Sequence, residues 1–265
     1  MHRTLVCVIA AIATTISAHA QGTTGPNLDI AGIKVGMGVK EALAALKAEN
    51  PHFEIIMSSQ PVDGFSEPLQ PTAIARHQIT PDNDGEIITL ALTTPPGRAA
   101  VWGIKRDTTY RSQHQPSTEN TLAALRAKYG PENIPPLDGR TQFLEWVFDD
   151  KGKLLPADQA RQLWMSCCTI LQNHFAGEVP LLNDLTTGKY GPPECSSIIL
   201  ITANVQSGQI TPGSPFVVNN LSVAINHGAM YWTAIEATRE AAQRAVKSRD
   251  NKATEDANKV GAPKL

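Results

Sequence analysis

Glu86-Ile-Ile-Thr-Leu-Ala-Leu-Thr-Thr-Pro-Pro-Gly-Arg-Ala-Ala-Val-Trp-Gly-Ile-Lys105 commits the chain to an antiparallel sheet. From Glu86 to Thr93, Ile88, Leu90 and Leu92 alternate onto one face, as a strand with one buried side requires. Pro95-Pro96-Gly97 is a tight-turn sequence, so the run from Ala99 to Lys105 is expected to return beside the first strand. Upstream, Leu28 to Val35 reads as extended and leads through Gly36-Met37-Gly38 into a helix over Val39 to Glu49. Val39, Ala42, Leu43 and Leu46 recur there at helical spacing, and Asn50-Pro51 stops the run because proline cannot continue the hydrogen-bond ladder. A strand over His52 to Met57, a surface loop over residues 58–72 and an extended Ile74 to Ile79 complete a first unit, 28–112.

A second unit, 113–250, repeats the order of helix and then strands. Ser117 is placed to cap a helix over Thr118 to Tyr129, which carries Leu122 and Leu125 and ends at Gly130-Pro131. Thr141 to Phe148 reads as a strand that turns at Asp149-Asp150-Lys151-Gly152, a solvated turn rather than a catalytic carboxylate pair. Leu163 to Leu171 fits strand and helix equally. Cys195 to Val205 and Phe216 to Ile225, rich in β-branched residues, are expected as strands joined by a loop over 206–215. Met230 to Arg249 should form a long helix with a narrow, alanine-rich apolar stripe, followed by a frayed polar tail over 251–265. The stripe either lies on the sheet or serves docking, including self-association. The expected class is therefore α+β: antiparallel sheets with packed helices, in two repeated layered units.

Two internal matches support the repeat. Leu43-Ala44-Ala45-Leu46 returns as Leu122-Ala123-Ala124-Leu125, 79 positions on, and Lys128-Tyr129-Gly130-Pro131 returns as Lys189-Tyr190-Gly191-Pro192. The opening Ile33-Lys34-Val35-Gly36-Met37, with Lys40-Glu41-Ala42-Leu43 and a later Lys-Tyr-Gly-Pro, resembles exported bacterial domains of the β-lactamase-inhibitor-protein-like type. It is similar in the same place to the outer-membrane assembly lipoproteins of the SmpA/OmlA family. The resemblance implies helices packed on an antiparallel sheet and a role in binding proteins, with an envelope protein as the partner. It carries over no binding residue. The chain departs from the lipoprotein branch in having no lipidated cysteine, because Cys7 lies near the start of the first apolar run.

That run, Leu5 to Ile16, follows His2 and Arg3 and precedes Ser17-Ala18-His19-Ala20, so residues 1–20 read as a signal peptide cleaved after Ala20, with 21–27 a flexible leader. About 12 apolar residues fall short of the ~20 that span a membrane. Export, to the periplasm or beyond, permits a disulfide. The candidates are Cys168 with Cys195 or Cys167 with Cys195, leaving one thiol over. With 23 Lys and Arg against 25 Asp and Glu, no positive surplus attracts nucleic acid.

Chemistry finds little support. Gly36-Met37-Gly38 opens a helix as a dinucleotide turn does, but Glu41 stands at the third glycine position. Asp82-Asn83-Asp84-Gly85 reads as a turn, since regular calcium spacing would place Ala91 at the bidentate position. Hydrolase and phosphate-loop motifs are absent, and His52, His77, His114, His174 and His227 are scattered singly. The expectation is an exported binding or envelope-associated accessory protein without catalytic, cofactor or metal residues. The alternative is an envelope hydrolase whose nucleophile is the unpaired member of Cys167 and Cys168, with His174 as base, or whose metal is held by His174 and its cysteine neighbours.

Overall fold

The computed structural model describes residues 28–62, 65–70, 72–80, 84–111, 113–134, 141–173 and 193–259. Along the chain run β1 (Asp29–Ile30), β2 (Ile33–Lys34), α1 (Val39–Glu49), β3 (Glu54–Met57), β4 (Thr72–His77), β5 (Gly85–Leu92) and β6 (Val101–Thr109). There follow α2 (Thr118–Tyr129), β7 (Thr141–Asp149), α3 (Ala157–Asn173), a 3₁₀ turn (Pro193–Ser197), β8 (Ile198–Gln209), β9 (Phe216–His227) and α4 (Gly228–Lys259). The class is α+β. Both halves contribute to one seven-stranded antiparallel sheet, ordered β3-β4-β5-β6-β9-β8-β7, in which the meander after α1 meets the strands after α2 through the β6 and β9 pair.

Strand alternation assigns every core residue to one of two faces. On the first face Ile88, Leu90, Ile104, Trp146, Ile201 and Ile225 pack beneath α1 and α2. The two helices bury matching positions: Ala42 and Leu46 in α1 correspond, 79 positions on, to Thr121 and Leu125 in α2. Ser117 caps α2 as its hydroxyl oxygen accepts from the Asn120 amide at 3.2 Å. On the second face Ala91, Trp102, Val147, Ile198 and Leu200 pack against α3 and α4. Trp102 reaches that side through a bulge in which Ala91 pairs with Gly103 while Leu92 pairs with Val101. The extra residue turns Trp102 away from the Val101 and Ile104 side and onto Tyr231 of α4, with ring centroids 4.8 Å apart.

Several expectations need correction. Leu28 to Val35 is not one extended run but a hairpin, β1 to β2, turned by Ala31 and Gly32, both at positive φ. Alanine seldom adopts that conformation, so the turn leaves no composition signal. Leu163 to Leu171, which in sequence fits strand and helix equally, resolves as part of α3, where Ala160, Leu163, Trp164, Cys167 and Leu171 form one stripe facing the second core. Cys195 sits in the 3₁₀ turn rather than in a strand. The 58–72 segment does not lie wholly on the surface, because Leu69 is buried and Val62 and Phe65 pack against the second core. The last helix continues to Lys259 in place of a frayed tail. Alanines at 253 and 257 and ion pairs such as Lys259 to Asp256 at 3.1 Å sustain it without burial. The second Lys-Tyr-Gly-Pro, at 189–192, lies outside the described residues, as do the signal and leader segments.

An exposed strand edge invites pairing with another chain. β7 lies at the end of the sheet, and Asn133 closes part of its outer edge. Its side-chain amide donates to Val147 O and Leu155 O, each at 2.9 Å, and its carbonyl accepts from Val147 N at 3.0 Å. Asn133→Ala should lower unfolding stability by about 2 kcal/mol, at roughly 1 kcal/mol for each lost bond less some replacement by water. Asn133→Asp should do no better, because its carboxylate would face two carbonyl oxygens. Urea denaturation of the three proteins checks this, and an aspartate variant as stable as the parent would refute the edge-closing role.

Candidate functional site

The described residues cover only half of the second face. Val62, Phe65 and Leu69, together with α3 and α4, seal the end carrying Ala91, Trp102 and Leu200, but no described helix lies over the other end. There a single row crosses all seven strands through the registers Glu54 to Arg76, Arg76 to Ile87 and Ile87 to Asp107. It continues from Asp107 to Ser222, Ser222 to Asn204 and Asn204 to Phe143. At about 4.8 Å per strand the row is about 29 Å wide. Ile87 is 44% exposed and Phe143 42%, and Ile56, one row inward on β3, is 41% exposed.

Charges punctuate these apolar residues. Arg76 Nε donates to Glu54 at 2.8 Å and holds that carboxyl below its ordinary range. Lys105 meets Asp107 at 3.0 Å. Exposed ion pairs contribute little stability, and the three exposed apolar side chains are spread along the face, with Ile87 and Phe143 four strands, about 19 Å, apart. Sequence reading took only one side of β5, that of Ile88, Leu90 and Leu92. The signal for the other side was present, since Ile87 and Ala91 make Ile87 to Leu92 apolar on both faces with Thr89 alone between.

On the first face a cavity of about 420 Å³ opens between α2, the β1 to β2 hairpin and the sheet. Its floor is apolar, with Ile30, Leu125, Leu221 and Val223, and its wall carries Asp84, Glu86, Arg106, Lys128 and the phenols of Tyr110 and Tyr129. Arg106 Nε lies 2.5 Å from a Glu86 carboxylate oxygen, and its Nη2 lies 3.4 Å from Glu49 of α1. Lys128 Nζ lies 3.2 Å from Asp29. Burial raises the Glu86 pKa above its ordinary value, Arg106 opposes this, and Glu49 adds to it. Burial likewise raises Tyr110, and burial together with Asp29 raises Tyr129. Glu86 and Arg106 were missed in sequence because they belong to otherwise ordinary strands, whereas Asp84 read as a turn residue and Lys128 and Tyr129 as the end of a helix. The available signal was parity: Glu86 shares the inward phase of Ile88 and Leu90, and Arg106 that of Ile104.

The cysteine candidates resolve in part. Cys167 and Cys195 form the disulfide, with Cα atoms 5.4 Å apart, so the Cys168 to Cys195 alternative is replaced. The reason is helical phase: Cys167 shares the inward stripe of Ala160 and Leu171, and position 168 lies about 100° further around the axis. Cys167 is thereby unavailable as a nucleophile or metal ligand, whereas the Cys168 side chain and His174 lie outside the described residues. Among the described residues, no group of three or more His, Cys, Asp or Glu is placed to hold a metal, and no helix is long and apolar enough to cross a membrane. His52 and His114 are exposed, with His114 Nδ1 3.3 Å from Asp84. His77 ends β4, and His227 ends β9, where burial lowers its pKa. Asp149 Oδ1 accepts from the Lys151 and Lys153 amides at 3.0 and 2.8 Å, the bonding of a turn. Gly36 is at positive φ and Gly38 is the N-cap residue preceding α1, so the two shape the start of a helix.

No protein-family model, curated protein or solved structure matches this chain.

Proposed function

We propose that this is an exported accessory protein that works by binding an envelope protein through the open half of its second sheet face. One observation carries the reading: Ile56, Ile87 and Phe143 stand more than two-fifths exposed on a face whose other half is sealed by a loop and two helices. The interleaved Glu54, Arg76, Lys105 and Asp107 supply directional contacts suited to a protein surface rather than to a lipid one. The opening sequence and its resemblance to inhibitor-like and envelope-assembly domains agree with this role. The Cys167 to Cys195 bond and the first twenty residues support export.

The test uses the full chain with its own signal, carrying a photo-crosslinking amino acid in place of Phe143 or Ile87, with Ala123 on the exposed side of α2 as the control position. The expected result is one discrete envelope-protein adduct from positions 143 and 87 and none from 123. Capture of a second copy alone would replace the partner with self-association. An adduct pattern shared by all three positions would refute the face.

A further inference from the structure

The two edges of the seven-stranded sheet are treated differently by the described residues. On β7 the outward backbone groups from Glu145 to Asp149 are engaged by Asn133, Ile134, Lys153 and Leu155. β3, at the opposite end, is bare. Ser58 N donates to Thr72 O at 2.9 Å in continuation of the β3 to β4 register, so Glu54 and Ile56 share that bonding phase toward β4. The N–H and C=O groups of Ile55 and Met57 therefore point away from the sheet. Phe53, in the same outward phase, is already satisfied: its amide donates to Asn50 O at 3.1 Å and its carbonyl accepts from Lys47 Nζ at 2.6 Å. Among the described residues, none bonds the outward groups of Ile55 or Met57. β3 also has no bulge, proline or lysine, the features that ordinarily guard an edge. Its centre is apolar on both faces, because Ile55 and Met57 pack against the first core while Ile56 stands 41% exposed on the second.

We propose that β3 pairs with β3 of a second copy of this chain, antiparallel about a two-fold axis at Ile56, so that the two sheets join into one. The strand is self-complementary in that register. Ile55 of each copy meets Met57 of the other, and each meeting exchanges two backbone hydrogen bonds, which uses every open group of the two residues. The two Ile56 side chains lie side by side at the axis, a non-hydrogen-bonded pair with Cα atoms about 4.5 Å apart, and cover each other's exposed surface. Glu54 falls opposite Ser58 and keeps its bond to Arg76, so no like charges meet. Any extended peptide could satisfy the backbone, but two open residues centred on an exposed isoleucine are what a two-fold axis calls for. With so short an edge the interface is small, and the dimer is weak and concentration-dependent. Ile87 and Phe143 stand two and six strands in from β3 and stay free for a partner, so the pairing does not rest on the docking reading.

Sedimentation equilibrium of the chain from residue 21 onward, over about 10 to 1,000 μM, should show a reversible step from monomer to dimer and no larger species, since pairing consumes the edge. Met57→Pro removes an N–H that β4 does not use, so the fold is kept while the dimer loses two backbone bonds. Ile56→Lys sets two like charges side by side at the axis. Each should weaken dimerisation at least about tenfold, and the lysine variant keeps the test valid if Met57→Pro fails to fold. On mild oxidation, Ile56→Cys should give a dimer bonded through the two substituted positions, because Cα atoms about 4.5 Å apart lie within disulfide reach. Ile87→Cys, similarly exposed but two strands in, should give no such bond. A chain that stays monomeric throughout would overturn the proposal and leave the edge to a strand of another protein. So would a dimer that Met57→Pro and Ile56→Lys leave intact, or oxidation that links the Ile87 variant at its substituted position as readily as the Ile56 one.

Discussion

Gly228→Ala should destabilise the protein by about 3 to 5 kcal/mol, although helix propensity alone assigns alanine a gain of about 1 kcal/mol over glycine. β9 ends at His227 and α4 begins at Gly228, so strand passes into helix with no connecting residue. The helix start is thereby pressed against the 3₁₀ turn. A Cβ at 228 would stand 1.9 Å from Cys195 O and 3.1 Å from Ile198 O. Neither obstacle is a flexible side-chain tip. Both are backbone carbonyls, one held by the turn and the disulfide and the other by β8. Relief requires α4 to lift from the sheet, which would part Tyr231 from Trp102 and withdraw Ile235 from the second core. At about 2 to 4 °C per kcal/mol for a chain of this size, the melting temperature should fall by about 10 °C. Gly97→Ala is the matched control, since no atom lies within 4 Å of its would-be Cβ. A Gly228→Ala protein as stable as the control would show that the helix start can move freely.

Gly228 also marks where sequence reading stops. Local periodicity is enough to place α1 at Val39–Glu49 and α2 at Thr118–Tyr129, because each has an apolar stripe, a start residue and a stop. It is enough for the β5 to β6 and β8 to β9 hairpins, whose connections carry Pro and Gly. It does not reach pairings set by distant contacts. Nothing near Thr109 announces that β6 will join β9, more than a hundred residues later, and so bring both halves into one sheet. Nor does a glycine after a strand announce a carbonyl 33 positions earlier in the chain. The open second face was legible in residues but not in meaning: Ile87 and Phe143 are apolar in sequence, and only the extent of the α3 and α4 cover shows that they stand exposed. The cavity was legible only as charges at inward phase, and these gain significance once α2 and the β1 to β2 hairpin stand over them.

Removing the disulfide should cost about as much as the Gly228 substitution, for a different reason. Cys167 and Cys195 are 28 positions apart, and closing a loop of that length restricts the unfolded chain by roughly 3 to 4 kcal/mol. Both residues are fully buried, so a Cys167→Ala and Cys195→Ala double variant adds a small packing loss, about 1 kcal/mol. The expected total is about 4 to 5 kcal/mol in urea denaturation. The unsubstituted protein should fall toward the same midpoint when reductant is added, while the double variant should not respond. The single Cys167→Ala variant is the sharper experiment, because position 168 offers a second cysteine one residue away. Bonding from there would require α3 to turn by about 100°, which would drag Ala160 and Leu171 out of the second core. The variant should therefore remain reduced at both remaining thiols of the chain from residue 21 onward and be as unstable as the double. A new bond from Cys168 to Cys195 with stability restored would mean that the α3 stripe, and not the disulfide, is the adaptable partner, and would return the choice between the two cysteines to the state in which sequence leaves it.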